Sequence, residues 1–310
     1  MNKESIKAIL DSKCQLPAGA DLDELTSYLM INLGSTDAYV RENSMEILWT
    51  WGTAGRYDDD QLIGLGRQMA ANLSVGLGES GTDTVFLRAF SALVLAMVVI
   101  VDQRCELGQM EGREPFLSEE QVLAWFHSAV ACVTAEKDLR GFAGESGWAH
   151  SIAHVSDALG DFARSRHLGT QDLEQLLQAV ATKMIEPTDV IYCYGEESRL
   201  ARTVRDVLRR DCISMSFLTS WLDTLAHTPD GGNWPSVLGL YECDIQGNNA
   251  RMNARGFLRS LYFQVMIDPR NSRADDFPEF YARPLPNRDE LMLAIIDAIR
   301  TMHMWGDAQD

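Results

Sequence analysis

Proline is absent from every long periodic segment of this chain, and that absence constrains its fold more than any other feature. Nine prolines occur, at 17, 115, 187, 229, 235, 269, 278, 284 and 286, so they separate periodic stretches rather than interrupt them. Inside a helix a proline removes a backbone donor and clashes with the preceding turn, at a cost of ~3 kcal/mol or more. The stretches that avoid it repeat apolar residues at three- and four-residue spacing. They predict helices at roughly 21–33, 36–51, 59–76, 83–104, 118–133, 146–164, 170–185, 197–210, 214–227, 249–267 and 287–304. Ser118 with Gln121 forms an S-x-x-Q capping box, and Asp21 and Thr170 precede other segments as caps. Strand signals are few: Val98–Val101 lies inside a longer helical pattern, and Val190–Tyr194 reads as a short extended connector.

About eleven helices joined by short turns predict an all-α fold, an α-solenoid of HEAT-like stacked helical hairpins in a right-handed superhelix. One helical-repeat domain then spans 1–310, with irregular loops near 228–249 and 268–286. A weak rhythm of an acidic residue shortly before an arginine, at Asp37/Arg41, Asp83/Arg88 and Glu197/Arg199, supports the repeats, such pairs being able to link successive turns.

Composition narrows the function. With 46% hydrophobic residues a large core is available. The net charge of -18, from 45 acidic and 27 basic side chains, repels phosphate backbones, so nucleic acid and anionic membranes are not expected partners. The longest apolar run, Ala92 to Val101, is about half of what a bilayer requires and reads as a buried helix. The N-terminal residues lack a secretory pattern, and the expected location is cytoplasmic. Six cysteines without a C-x-x-C pair read as plain buried thiols. No P-loop and no G-x-S-x-G nucleophile motif is present.

The segment Gly147 to Asp161 carries the most unusual chemistry. Read as one helix, it places Trp148, Ile152, Val155, Leu159 and Phe162 on one face and His150, His154, Asp157 and Asp161 opposite. A solvated face ordinarily carries Glu, Lys and Arg, so the stripe predicts a site facing away from the core, with Trp148 as an apolar anchor; the alternative for the two histidines is a buried, hydrogen-bonded role that makes the helix a packing keystone. Glu136-Lys-Asp-Leu-Arg-Gly141 precedes it and Tyr194-Gly-Glu-Glu-Ser-Arg-Leu200 follows, each joining an acid to an arginine. In a helical stack these turns could border the stripe. Their guanidinium forks suit a carboxylate or phosphate, the alternative being an ion-pair network that ties repeats together. His127, His167, His227 and His303 stand alone and read as structural.

The runs at 136–141, 147–157 and 195–201 resemble the bacterial domain-of-unknown-function 2785 family. Phe86-Leu-Arg-Ala-Phe-Ser-Ala-Leu93, and Asn253 with Phe257-Leu-Arg-Ser-Leu-Tyr-Phe263, are similar to its flanking patterns. The resemblance implies an all-helical, HEAT-like fold and no assigned activity or catalytic residue.

The expected function is binding of a peptide, partner protein or small-molecule ligand in a polar groove, without a cofactor. That groove comprises Asp138, Arg140, Glu145, Trp148, His150, His154, Asp157, Glu196, Glu197 and Arg199. The alternative is a metal-dependent enzyme, of hydrolase or oxygenase type, holding Zn, Fe or Mn on His150, His154 and Asp157. The acidic neighbour that serves as general base in H-E-x-x-H helices is replaced here by Ser151, so a base would have to come from Glu145, Glu196 or Glu197.

Overall fold

Side-chain caps set where six of the helices begin. In a computed structural model, which describes residues 3–237 and 243–302, Asp21, Asp37, Asp58, Ser118, Ser214 and Asp244 each accept from backbone N–H groups in the first turn that follows. The capping boxes Asp58/Gln61 and Ser118/Gln121 are complete in both directions. His303, the end of the last expected helix and part of the 228–249 loop lie outside the described residues.

Among the described residues the protein is all-helical, with thirteen α-helices and no strand. It divides into two compact units, 1–167 and 168–310. The first holds α1 (Lys3–Asp11), α2 (Leu22–Asn32), α3 (Ala38–Thr53), α4 (Asp59–Asn72), α5 (Thr84–Glu106), α6 (Glu119–Ala135) and α7 (Ser151–Ala163). The second holds α8 (Thr170–Ile185), α9 (Glu196–Leu208), α10 (Met215–Ala226), α11 (Ile245–Ile267), α12 (Pro278–Tyr281) and α13 (Arg288–Thr301). All eleven expected helices are present. The short α1 and the single-turn α12 bring the count to thirteen, both too brief for apolar periodicity to stand out.

In the first unit α5 is central. It packs on α3, α4 and α7, while α2 lies on α3 and α6 on α7. It is long and apolar enough to cross a membrane, yet 83% of its most apolar window is buried inside the unit, as a core helix requires. Close contacts fix its neighbours: a Cβ on Gly52 of α3 would meet Met97 Sδ at 2.1 Å, and one on Gly66 of α4 would meet the Trp125 ring at 2.3 Å.

In the second unit α11 packs on α8, α9 and α13. Its asparagines hold the extended connector that precedes α9. Asn253 accepts from Tyr192 N at 2.8 Å and donates to Val190 O at 3.0 Å, and Asn249 donates to Thr188 O at 3.0 Å. The proline-rich 268–286 loop is anchored by α9: Arg205 donates to Pro269 O at 2.8 Å, and Asp206 accepts from the Tyr281 hydroxyl at 3.1 Å.

The central motif departs from its expected form. Helix α7 starts at Ser151 rather than near 146, because Gly147 (φ 72°) and His150 (φ 52°) take left-handed conformations that no helix continues through. The chain before them folds back instead. Ala143 N donates to Gly147 O at 2.7 Å, Ala149 N to Gly141 O at 2.9 Å and His150 N to Arg140 O at 3.1 Å. Gly147 is required twice over, since a Cβ there would also stand 2.9 Å from that of Ala38.

Candidate functional site

The loop between α6 and α7 is built around two buried carboxylates. Glu136, at the end of α6, accepts a bidentate pair from Arg88 of α5, Nε and Nη2 each at 2.8 Å, and both side chains are fully buried. The same carboxylate accepts from Ser151 Oγ at 2.7 Å and from Asp138 N at 3.0 Å, tying the first residue of α7 to the C-cap of α6. Arg88 also donates to Val75 O at 2.7 Å and Thr84 Oγ1 at 3.0 Å. Removing one partner of so buried a pair costs about 3–5 kcal/mol, since the other charge is left desolvated.

Asp138 is the second carboxylate. It accepts from Arg140 through Nε at 2.8 Å and Nη2 at 2.6 Å, and from Gly81 N at 2.9 Å. Arg140 in turn donates to Thr82 O at 2.7 Å, and its bond to Asp138 raises its proton affinity further. Arg41 of α3 closes the loop from the other side. Fully buried, it donates to Ser146 O at 2.7 Å, Trp148 O at 3.0 Å and Ser35 O at 2.6 Å, with its guanidinium 4.1 Å from the Phe86 ring centroid. Burial lowers its pKa from the usual guanidinium range, the opposing field of Glu42 and Asp37 notwithstanding.

A file of aromatic rings crosses this frame from surface to core. Phe142 is 50% exposed and meets Trp148, 38% exposed, edge to face at 5.0 Å. Trp148 stacks on His150 at 4.4 Å and 23°; His150 meets His154 edge-on at 5.8 Å, and His154 meets Phe90 of α5 at 5.1 Å. The two histidines retain only 9% and 8% exposure.

These positions correct the outward-facing stripe. His150, His154 and Asp161 are buried with Ile152, Val155, Leu159 and Phe162, so α7 is enclosed on nearly all sides, and only Asp157 is part exposed. Asp161 forms an ion pair with Arg164. Trp148 is also reversed: in place of a buried anchor it is a half-open stacking platform. Asp138 is buried, Arg140 is partly exposed and Glu145 is exposed. The three remaining expected residues belong to the second unit. There Glu196 is buried and accepts from Tyr194 N at 2.9 Å, Glu197 is half-buried with its pKa raised first by desolvation, and Arg199 is half-buried.

No three His, Cys, Asp or Glu side chains among the described residues converge as metal ligands do. His150, His154 and Asp157, the ligands of the metal-centre alternative, form no such converging group in this arrangement. The cysteines also differ from expectation: Cys14, Cys105 and Cys132 are buried, but Cys193 and Cys243 are exposed and Cys212 intermediate.

A cleft of about 270 Å³ lies one helical turn beyond Arg41 on α3 and Phe90 on α5, lined by Met45, Glu46, Trp49, Thr50 and Leu93. Arg41, Arg88, Glu136 and Ser151 shape the loop, yet the sequence placed none of them among the expected groove residues. Their signal was charge or hydroxyl placed on an otherwise apolar face. At two of its three places the acid–arginine rhythm does not describe a pair: Asp37 caps α3 while Arg41 holds carbonyls, and Arg88 pairs with Glu136 rather than Asp83.

The fold and this loop define an all-helical protein with a buried-arginine scaffold under an aromatic surface. The chain belongs to the DUF2785 family of proteins of unknown function, whose model matches residues 73–263 and so includes Arg88, Glu136, Asp138 and the whole aromatic file. No curated protein and no solved structure matches the chain.

Proposed function

We propose that this chain is a non-catalytic binding protein that holds a peptide segment of a partner against the surface loop bearing Phe142 and Trp148. The single observation behind this reading is Trp148 itself. One face of its indole stacks on His150, its carbonyl is held by Arg41, and more than a third of its surface stays open to solvent. An aromatic side chain immobilised in advance loses little conformational freedom on binding, which suits it to anchor a contact. The polar residues of the motif then serve to hold the loop, and the ligand meets aromatic rather than imidazole surface.

The chemistry of the partner follows from the surroundings. Glu145 is exposed on the same loop, Glu42 is exposed on α3 beside Gly147, and Glu46 lines the adjoining cleft. Carboxylates next to an open indole favour a cationic or apolar side chain over an acidic one. The frame for this surface is the stacked-hairpin arrangement of a HEAT-like repeat, which the successive packing of α3, α5 and α7, each covered by the helix before it, supports.

Selection from a random peptide library tests the reading. Wild-type protein is expected to enrich peptides pairing Arg or Lys with an aromatic or aliphatic residue, and Trp148→Ala or Phe142→Ala to bind them about tenfold or more weakly with little change in melting temperature. Identical selections by wild type and Trp148→Ala would sink it.

A further inference from the structure

Three arginines of the second unit stand in a row, and among the described residues none of them has a counter-charge. Arg251, Arg255 and Arg259 occupy successive turns of α11, so their side chains share one stripe over about 12 Å of helix rise. Arg251 is 7% exposed and leans on Asn248 Oδ1, its Nε at 3.3 Å and Nη2 at 3.1 Å. Arg255 is half-buried, and its Nε is enclosed without a hydrogen-bond partner. Arg259 is exposed. Among the described residues none of the three meets a carboxylate, and the charges that act on Arg255 are those of Arg259 and Arg251.

Three arginines buried elsewhere each have a carboxylate, Arg88 having Glu136, and Arg205 and Arg209 having Asp268 with carbonyls of the 268–286 loop, whereas the fully buried Arg41 is held by carbonyls alone. A chain with 45 acidic residues has no shortage of partners, yet leaves these three guanidinium groups to repel one another. Burial lowers the proton affinity of Arg255, and its two neighbours lower it further. Glu197 of α9 packs on this part of α11, facing Gly256, and its own burial favours its neutral form. Uncompensated charge of this kind is a local conflict that a bound anion resolves.

We propose that the α11 arginine row is a binding site for a small phosphoryl-bearing ligand, a phosphate ester with an apolar or aromatic body. Guanidinium forks match phosphate oxygens in geometry, and a phosphoryl group brings close to two negative charges where a carboxylate brings one. The body follows from the continuation of the stripe, since Phe263 and Ile267, at the next two four-residue steps, are 54% and 64% exposed. The net charge of -18 does not prevent this, because screening confines distant carboxylates to about 8 Å while the arginines act at contact. The site lies in a different unit from the aromatic loop and does not depend on the function assigned to that loop.

Calorimetric titration of the full chain with phenyl phosphate, inorganic phosphate and sodium sulfate at equal ionic strength provides the test. Phenyl phosphate is expected to bind most tightly. Arg255→Ala should weaken it about tenfold or more without lowering the melting temperature of the free protein, Arg255→Lys should weaken it less, and Phe263→Ala should erase only its advantage over inorganic phosphate. Absence of binding by either phosphate compound, equal affinity in Arg255→Ala, or sulfate binding as tightly as phenyl phosphate would each overturn the proposal. So would binding confined to phosphatidate vesicles, which would make the row a membrane contact instead.

Discussion

Charged and polar side chains inside the first unit do the work of holding a loop that has almost no regular structure. Arg88, Glu136 and Ser151 join α5, α6 and α7 through one carboxylate, and Arg41 reaches two carbonyls more than a hundred residues away in sequence. Replacing Arg88 by alanine removes the guanidinium that faces the fully buried Glu136 carboxylate, so denaturant unfolding is expected to show a loss of about 3–5 kcal/mol. Ser151→Ala removes a single hydrogen bond to that carboxylate and should cost about 1–3 kcal/mol. Equal losses in the two variants would mean that the pair is not the dominant contact. At this scale the sequence was informative about identity and misleading about direction. The spacing of His150 and His154 is that of one helix face, but His150 sits in a left-handed turn outside the helix, and both rings face inward. Hydrophobic patterning cannot reveal this, since an imidazole is equally at home in solvent or stacked on an indole.

Among the elements, glycines decide how closely helices approach. Gly52 of α3 faces Met97 of α5, a flexible thioether, whereas Gly66 of α4 faces the Trp125 ring, which has nowhere to turn. Gly66→Ala is therefore expected to destabilise by about 1–3 kcal/mol and Gly52→Ala by less, despite the shorter contact at Gly52. Thermal unfolding of the two variants separates them, and a larger loss at Gly52 would contradict the argument. The eleven longer helices were legible from proline placement, caps and apolar spacing, because those are properties of adjacent residues, whereas the short α1 and α12 were not. The start of α7 was not, because a loop stabilised by hydrogen bonds back to Arg140 and Gly141 imitates a helical turn in residue composition.

For the whole molecule, stability at alkaline pH is set in part by a single phenol. Tyr57 is buried beside Trp51 and shares a 3.0 Å hydrogen bond with Thr26; desolvation, aided by Asp23, pushes its pKa well above the ordinary tyrosine value. Its folded-state pKa is raised, so its contribution is intact below the unfolded value near ~10 and is lost as the pH rises beyond it. Tyr57→Phe should cost about 1 kcal/mol at neutral pH through the lost hydrogen bond, and should flatten the decline above pH ~10. An unaltered alkaline slope in that variant would show that other groups dominate it.

By itself the sequence determined that the chain is all-helical, where its long helices lie, that it carries an excess of negative charge and that residues 136–157 are chemically distinct. Each of these rests on neighbours along the chain. Only the tertiary structure decided that Arg88 meets Glu136, that Arg41 holds the carbonyls of the loop, that the imidazoles turn inward while Trp148 turns out, and that the α11 arginines meet no carboxylate among the described residues. Those outcomes depend on which helices pack together, and the burial of a charge or ring is set by partners that no local pattern encodes.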